Sequence, residues 1–174
     1  MPLPIAHSLL GASLITLFYP QNTKRLWIPL GIGAFLANAA DFDFALVFLL
    51  GSKEWHRGFS HSILFGVIVL LTMLLATKFS QIKESIAFGI AFASHLVLDF
   101  VTTKYGGKGV ELFWFFSSER YKLNWFGLSE MPSNLSFSEI LIAILFEFIL
   151  FAPIFLLAVY LRENYLQTNR PSAS

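Results

Sequence analysis

The chain has 174 residues, of which 56% are hydrophobic and only 13% charged, and its mean hydropathy is +0.66. Soluble domains carry nearer a quarter of charged residues, so this composition indicates a surface covered mainly by lipid. The net charge of +1 argues against a nucleic-acid-binding protein. The absence of cysteine excludes disulfide bonds and thiolate metal sites.

Five apolar runs have the length of transmembrane helices, which is roughly 17–25 residues. In chain order they are Leu3–Tyr19, Leu26–Leu50, Phe59–Thr77, Ser85–Thr102 and Phe137–Leu161. Because the runs are continuous and do not alternate with a period of two, they predict helices and not the strands of a barrel. The sequence therefore predicts an all-α, polytopic membrane bundle of about five transmembrane helices. We expect a single domain over residues 1–165 and a polar tail over residues 166–174.

A loop joins the fourth and fifth runs and contains the segment GGKGVELFWFF at Gly106–Phe116. Its aromatic residues form a stretch too short to span a bilayer. Aromatic rings favour the headgroup zone, where they find both apolar and wet neighbours. We therefore expect an interfacial aromatic loop that caps one end of the bundle.

Histidine and aspartate are confined to one side of the predicted bundle. If successive helices cross in alternate directions, all four histidines and all three aspartates lie near the same membrane face as the N-terminus. A random scatter would not place them at one end of four different helices. Histidine and carboxylate side chains are ligands for divalent metals, so the pattern predicts a metal site. The residues are His7, Asp41, Asp43, His56, His61, His95 and Asp99.

The segment HLVLD places His95 and Asp99 one turn apart on one helical face. The two side chains can bind one ion, or the carboxylate can orient the imidazole. An ionised aspartate at the bilayer centre costs at least ~2.5–3.5 kcal/mol, which indicates a functional role or a buried partner. The alternative is a structural hydrogen bond between helices.

The DFD segment places Asp41 and Asp43 two residues apart. On a helix their side chains diverge by about 200°, so both reach one site only if the backbone leaves the helix. We favour Asp41 as the ligand and expect Asp43 to support it or to face water. Asn38, on the face of Asp41, either donates to a ligand or pairs across helices.

The segment HRGFSHS joins two histidines, His56 and His61, and precedes the third run. Gly58 permits an unusual backbone angle. Ser60 is the predicted N-cap of the third helix, which would place His61 in the first turn, where free N–H groups favour anions. The guanidinium of Arg57 suits phosphate or carboxylate.

Three further polar residues are His7, Glu111 and Glu147. His7 lies on the side of the other histidines and is predicted as a further ligand. We expect Glu111 to be a solvated loop residue, with a ligand or general base as the alternatives. Glu147 lies within the fifth run without a polar neighbour in sequence, and no role follows for it.

Together, His7, DFD, HRGFSHS and SHLVLD resemble the bacterial inner-membrane family of proposed metal-dependent hydrolases that is named for its LexA-regulated member. The resemblance covers nearly the whole chain. Ala39 and Ala40 stand where the family has Leu-Pro, which removes a helix stop and leaves the backbone path around both aspartates open. The order His, Asp, His, His-x-x-x-Asp is also distantly similar to zinc-dependent phospholipases C and related nucleases, which implies phosphoester hydrolysis by analogy. These resemblances imply a ligand set of His7, Asp41, His61, His95 and Asp99.

The predicted function is that of a membrane-embedded hydrolase of a phosphoester in a lipid or membrane-associated substrate. The predicted ligands are the implied set with His56 added, and zinc is favoured over manganese or iron. The metal would activate water, Asp43 would accept the proton, and Arg57 would stabilise phosphoryl charge. Two alternatives are a proton- or ion-coupled transporter and a non-catalytic protein with a structural metal.

Basic residues set the expected orientation. Six lysine and arginine residues are predicted on each side of the bundle, but those opposite the predicted site lie in shorter segments. The positive-inside tendency therefore predicts an inner (plasma) membrane protein with its site on the outer face.

Overall fold

The structure of the chain is a computed structural model that describes residues 2–21, 23, 25–103, 107–125 and 136–169. Parts of the predicted aromatic loop and of the predicted tail lie outside these residues. The described residues form helices and no extended strand, with one isolated bridge between Val110 and Tyr121. The α-helices are α1 Pro4–Phe18, α2 Trp27–Leu36, α3 Phe44–Leu50, α4 Ile63–Ala76, α5 Ile82–Thr102 and α6 Phe137–Thr168. Short 3₁₀-helices occupy Ala39–Asp43, Lys53–Trp55 and Phe59–His61.

The predicted all-α membrane bundle is confirmed. Among the described residues, α5 and α6 are each long and apolar enough to cross a membrane. Trp27–Leu36 with Ala39–Leu50, bent by 45°, and Lys53–His61 with Ile63–Ala76, bent by 54°, would each add one broken span. The total is two to four candidate spans. The first of the five predicted runs forms the 15-residue α1. At 1.5 Å per residue it is about 22 Å long, short of the ~30 Å hydrocarbon core.

Helix α1 lies at the centre of the bundle and packs on α2, α5 and α6. Small residues allow the close approach of α1 and α2, as they do in many membrane helix pairs. A side chain added at Gly11 would meet Ala37 and the carbonyl of Gly33, and one added at Gly33 would meet Ile15. These contacts hold the second half of α1 at a set distance from the end of α2.

Helix α6 binds both ends of α1 through buried charged side chains. The Glu147 carboxylate accepts hydrogen bonds from the backbone N–H groups of Leu3 (2.5 Å) and Ala6 (3.1 Å). Arg162 donates to three carbonyls at the other end of the helix, those of Thr16, Tyr19 and Pro20. A carboxylate at the N-terminus and a guanidinium at the C-terminus satisfy free backbone groups and complement the helix dipole. Glu147 therefore has partners that are distant in sequence.

The last helix extends beyond the boundary predicted from hydropathy. Helix α6 ends at Thr168, three residues inside the predicted polar tail of 166–174. The residues after Leu161 are polar but compatible with a helix, and loss of hydrophobicity alone does not end one.

Candidate metal centre

All four histidines and all three aspartates lie together at one end of the bundle. They come from α1, from the break after α2, from the segment before α4, and from the last turns of α5. Three overlapping groups each bring one ligand atom per residue within 4.8 Å of one another. The groups are His7, His95 and Asp99; Asp41, His61 and His95; and Asp41, Asp43 and His56.

The backbone leaves the α-helix after α2, where a side chain of α5 binds one of its carbonyls. His95 Nδ1 lies 2.7 Å from the Ala37 oxygen, which a continuing α-helix would use for the N–H of Asp41. The Asp41 N–H instead donates to the Asn38 oxygen, at 3.1 Å. The 3₁₀ segment that follows directs both Asp41 and Asp43 towards the site without a proline.

Asn38 pairs across helices. Its amide donates to Ser8 Oγ of α1 at 2.9 Å and to the Ala34 oxygen at 2.7 Å. Of the two roles considered from sequence, the structure therefore shows the interhelical contact. The contact between Asn38 and Ser8 attaches the segment after α2 to α1.

Backbone and side-chain contacts fix how the two central imidazoles present their nitrogens. His95 Nδ1 faces the Ala37 carbonyl and must donate to it, which leaves Nε2 with a lone pair. His61 Nδ1 lies 2.9 Å from Ser60 Oγ and 3.3 Å from Asp43 Oδ2, and a proton there likewise leaves Nε2 free. The two Nε2 atoms are 3.0 Å apart. Two lone pairs at that distance repel each other unless a proton or a cation lies between them.

Two carboxylates complete the surroundings of these nitrogens. Asp41 Oδ1 lies 3.5 Å from His95 Nε2 and 3.6 Å from His61 Nε2, and Asp99 Oδ2 lies 3.6 Å from His61 Nε2. Hydrogen bonds between such atoms span about 2.7–3.2 Å. Two ligands that share one tetrahedral zinc ion, each about 2.0–2.2 Å from it, lie roughly 3.3–3.6 Å apart. These three carboxylate–imidazole spacings fit a shared ion better than direct hydrogen bonds, whereas the 3.0 Å between the two Nε2 atoms is shorter than a tetrahedral ion requires.

Several buried ligand atoms in the cluster have no hydrogen-bond partner among the residues that the structure describes. They are both ring nitrogens of His7, Oδ1 of Asp41, and both carboxylate oxygens of Asp99. His7 Nε2 lies 3.6 Å from Asp99 Oδ1, and its ring stacks on that of His95 with centroids 3.9 Å apart. Buried polar atoms are costly unless they are satisfied, so these atoms fit a bound cation.

The net charge of the cluster also favours a bound cation. Three carboxylates and the single guanidinium of Arg57, with neutral histidines, carry a net charge of −2. Arg57 Nε lies 3.0 Å from Asp99 Oδ2, but the N–H is not directed at that oxygen. Buried like charges are unfavourable without compensation, and one divalent cation would neutralise the set.

Asp43 contacts the cluster on the Nδ1 side of His61. Its carboxylate is buried and accepts from His56 Nδ1 (2.8 Å), the Arg57 N–H (2.9 Å) and Ser60 Oγ (2.7 Å), and it also faces His61 Nδ1. With these contacts made, Asp43 orients His61 as outer-shell carboxylates do in metal sites. The role of proton acceptor for Asp43 stays a prediction that these contacts do not favour.

His56 lies on the outer side of Asp43. Its ring stacks on Phe44 with centroids 3.9 Å apart, and its Nδ1 is engaged by the Asp43 carboxylate. The role of His56 as a ligand also stays a prediction, and its contacts favour support of Asp43.

Arg57 has a conformation that is uncommon for a side-chain-bearing residue. Its φ is 63°, whereas that of Gly58 is −87°, so the left-handed angle lies one residue before the expected glycine. Such angles persist where surrounding contacts enforce them, often at functional sites. Nη1 donates to the Lys108 oxygen (2.8 Å) and to Thr103 Oγ1 (3.3 Å), while the buried Nη2 has no hydrogen-bond partner in the described part of the chain.

The predicted N-cap of α4 is wrong by two residues. Ser62 caps the helix, since its hydroxyl accepts from the Phe65 N–H at 3.1 Å. Ser60 instead donates to Asp43 at 2.7 Å. His61 consequently precedes α4 and does not lie in its first turn, so the helix dipole gives no support for an anion at His61. The contribution of Ser60 to the site was missed for this reason.

The aromatic loop closes over this end of the bundle. Glu111 is only 9% exposed and its carboxylate lies 2.8 Å from Arg120 Nη2, so the expectation of a solvated glutamate is wrong. The Glu111 N–H donates to the Arg57 oxygen (3.1 Å), and Arg120 Nη1 donates to the His56 oxygen (3.0 Å). Residues 113–116 expose their aromatic rings beside these contacts. The loop thereby holds the segment that carries Arg57.

Comparison with known proteins identifies a protein family but no catalytic reaction. The profile of the YdjM inner membrane protein family matches residues 1–168. The inner membrane protein YbcI of Escherichia coli (strain K12) is 34% identical over 104 residues, which are 58% of this chain and 58% of that protein. The match therefore spans less than two thirds of that relative. No solved structure matches the chain. The expected bacterial inner-membrane family is thus confirmed at this level: the chain belongs to the YdjM family of inner membrane proteins.

Proposed function

We propose that this integral inner membrane protein is a divalent-metal-dependent hydrolase that cleaves a phosphoester in a lipid or another membrane-associated substrate. One observation carries the proposal. Ligand atoms of Asp41, His61 and His95 lie within 4.8 Å of one another, and His95 also belongs to such a group with His7 and Asp99. Arg57 Nε lies 3.0 Å from Asp99 Oδ2.

The proposed metal ligands are the residues that have a nitrogen or oxygen lone pair available. They are His61 and His95 through Nε2, Asp41, Asp99, and His7 at the edge of the group. Nitrogen and oxygen donors of this kind suit zinc first, with manganese or iron as alternatives. A divalent ion at this point would lower the pKa of a water molecule that it binds and so make a nucleophile available near neutral pH.

Arg57 is the residue proposed to bind the substrate phosphoryl group. Its guanidinium is planar and permanently charged, and Nη2 is buried without an acceptor. The Lys108 carbonyl and Thr103 hold Nη1, so the group is oriented before a substrate arrives. A guanidinium held in this way stabilises the negative charge that develops on phosphoryl oxygens during hydrolysis.

The first experiment is elemental analysis of the detergent-purified protein. We expect near-stoichiometric zinc, manganese or iron in the wild type and its loss in a His95→Ala/Asp99→Ala variant, because that variant removes two central ligands. A Lys83→Ala/Glu84→Ala variant changes the opposite end of the same helix and should keep the metal. Hydrolysis of phospholipids and simpler phosphoesters, measured on the same three samples, should follow the metal content.

Two results would contradict the proposal in different ways. An equal metal content in the wild type and in the His95→Ala/Asp99→Ala variant would show that these residues bind no metal. That result would favour a proton-coupled transporter, in which the same residues relay protons. Metal that is present and lost as expected, with no hydrolysis of any phosphoester, would indicate a structural metal in a closed shell.

A further inference from the structure

An apolar cavity of about 450 Å³ lies beside the candidate metal centre, between the break after α2 and helix α4. That volume is within the range of roughly 300–1,000 Å³ typical of small-molecule sites. Its walls consist mainly of aliphatic and aromatic side chains. The lining residues from the α2–α3 segment include Leu36, Ala39, Ala40, Phe42 and Leu46.

The opposite wall is one continuous face of α4. Phe65, Ile68, Val69, Thr72 and Met73 line it at the spacing i, i+3, i+4, i+7 and i+8. At 1.5 Å per residue this face extends about 12 Å along the helix axis. The cavity is therefore elongated along a segment that is a candidate membrane span.

Polar side chains line the cavity beside the metal centre. Asp43 and Ser60 belong to its wall, and both contact His61 Nδ1, at 3.3 Å and 2.9 Å. On the outside, Phe42 is 59% exposed and Ile68 is 45% exposed, which shows that the cavity borders the surface that lipid would cover. An occupant can thus enter sideways from the bilayer and reach the residues that orient His61.

We propose that this cavity binds one hydrocarbon chain of a phospholipid and so holds the lipid beside the candidate metal centre. The complementarity is chemical, because the apolar walls match a hydrocarbon chain and the cavity opens on the surface that lipid would cover. The proposal names the substrate class of the site and rests on the proposed function only for its catalytic readout. Binding of the chain is tested separately.

The experiment compares two tryptophan substitutions on α4, at valines two residues apart. Val69 lines the cavity, whereas Val67 faces the groove between α4 and α5. Protein in vesicles of phosphatidylglycerol that carries a diazirine in one acyl chain is irradiated, and the labelled peptides are identified. We expect labelling of residues 42–46 and 65–73 to fall at least about tenfold in Val69→Trp and to stay within about twofold in Val67→Trp, because a filled cavity excludes the chain.

Activity and metal content provide the second readout. In Val69→Trp we expect unchanged metal, at least about tenfold slower hydrolysis of long-chain phosphatidylglycerol, and hydrolysis of water-soluble bis(p-nitrophenyl) phosphate within about twofold of wild type. If Val69→Trp is poorly folded by gel filtration, Thr72→Phe fills the same face with a smaller change.

The outcomes separate the two proposals. Equal labelling in the two valine variants, or labelling concentrated around Val67, would show ordinary surrounding lipid and overturn the chain site. Equal loss of long-chain and soluble substrate hydrolysis would also overturn it. If the wild type hydrolyses neither substrate, the proposed function fails, while the labelling result still decides whether the cavity holds a chain.

Discussion

Asp43 shows how a single side chain can organise the cluster without an open ligand position of its own. It receives hydrogen bonds from the His56 ring, the Arg57 backbone and Ser60, which come from one short segment. It also faces His61 Nδ1. Because one buried carboxylate gathers these groups, it sets the direction of His61 Nε2 and the backbone angle at Arg57.

We predict that Asp43→Asn weakens metal binding about 10–100-fold, the range found when outer-shell partners of metal-bound histidines are removed. The amide is nearly the same size but has one acceptor oxygen fewer, so one donor loses its partner. Competition with a chromogenic chelator measures the affinity.

The matched control for this prediction is Glu54→Gln, since Glu54 lies in the same segment but is exposed and pairs with Lys108. It should leave the affinity unchanged, because exposed ion pairs contribute little. Equal affinity in Asp43→Asn and wild type would show that Asp43 does not orient a ligand.

Among the helices, α1 depends on its neighbours more than any other described here. It carries His7, it is too short to span a bilayer unaided, and α6 binds both of its ends. Its face towards α2 is matched by Gly33, where an added side chain would meet Ile15. The position of His7 thus follows from packing on two other helices.

We predict that Gly33→Val destabilises the protein by about 1–3 kcal/mol, the usual cost of overpacking, and displaces α1 from α2. A lower thermal midpoint in detergent and reduced metal retention are the measurements. Gly31→Val is the control on the same helix, because no atom lies within 4 Å of a side chain added there. If both valine variants behave alike, close packing of α1 on α2 does not position the site.

At the scale of the whole molecule, the cluster and the aromatic loop lie at one end, and long apolar side chains cover much of the helical surface. The distribution of basic residues favours the outer face.

We predict that a single cysteine at Lys108 reacts with a membrane-impermeant maleimide added outside intact cells. The chain has no cysteine of its own, so the label reports one position. A cysteine at Lys78, beyond the far end of α4, should react only after the membrane is permeabilised. The reverse pattern would place the site on the cytoplasmic face.

The membrane class and the confinement of histidine and aspartate to one end could be predicted from the sequence. Both depend on local hydropathy and on the alternation of helix direction along the chain, which are properties of residue order. The separation of His95 and Asp99 by one turn follows equally from helix geometry.

Contacts between distant residues decided the rest. The imidazole of His95 binds the Ala37 carbonyl at the end of α2, where the α-helix stops without a proline. Ser60 turns to Asp43, which leaves the cap of α4 to Ser62. Glu147 finds its partners at the start of α1, 144 residues away in the case of Leu3. A hydrogen bond depends on which groups the fold brings within about 3 Å, and sequence spacing does not contain that information.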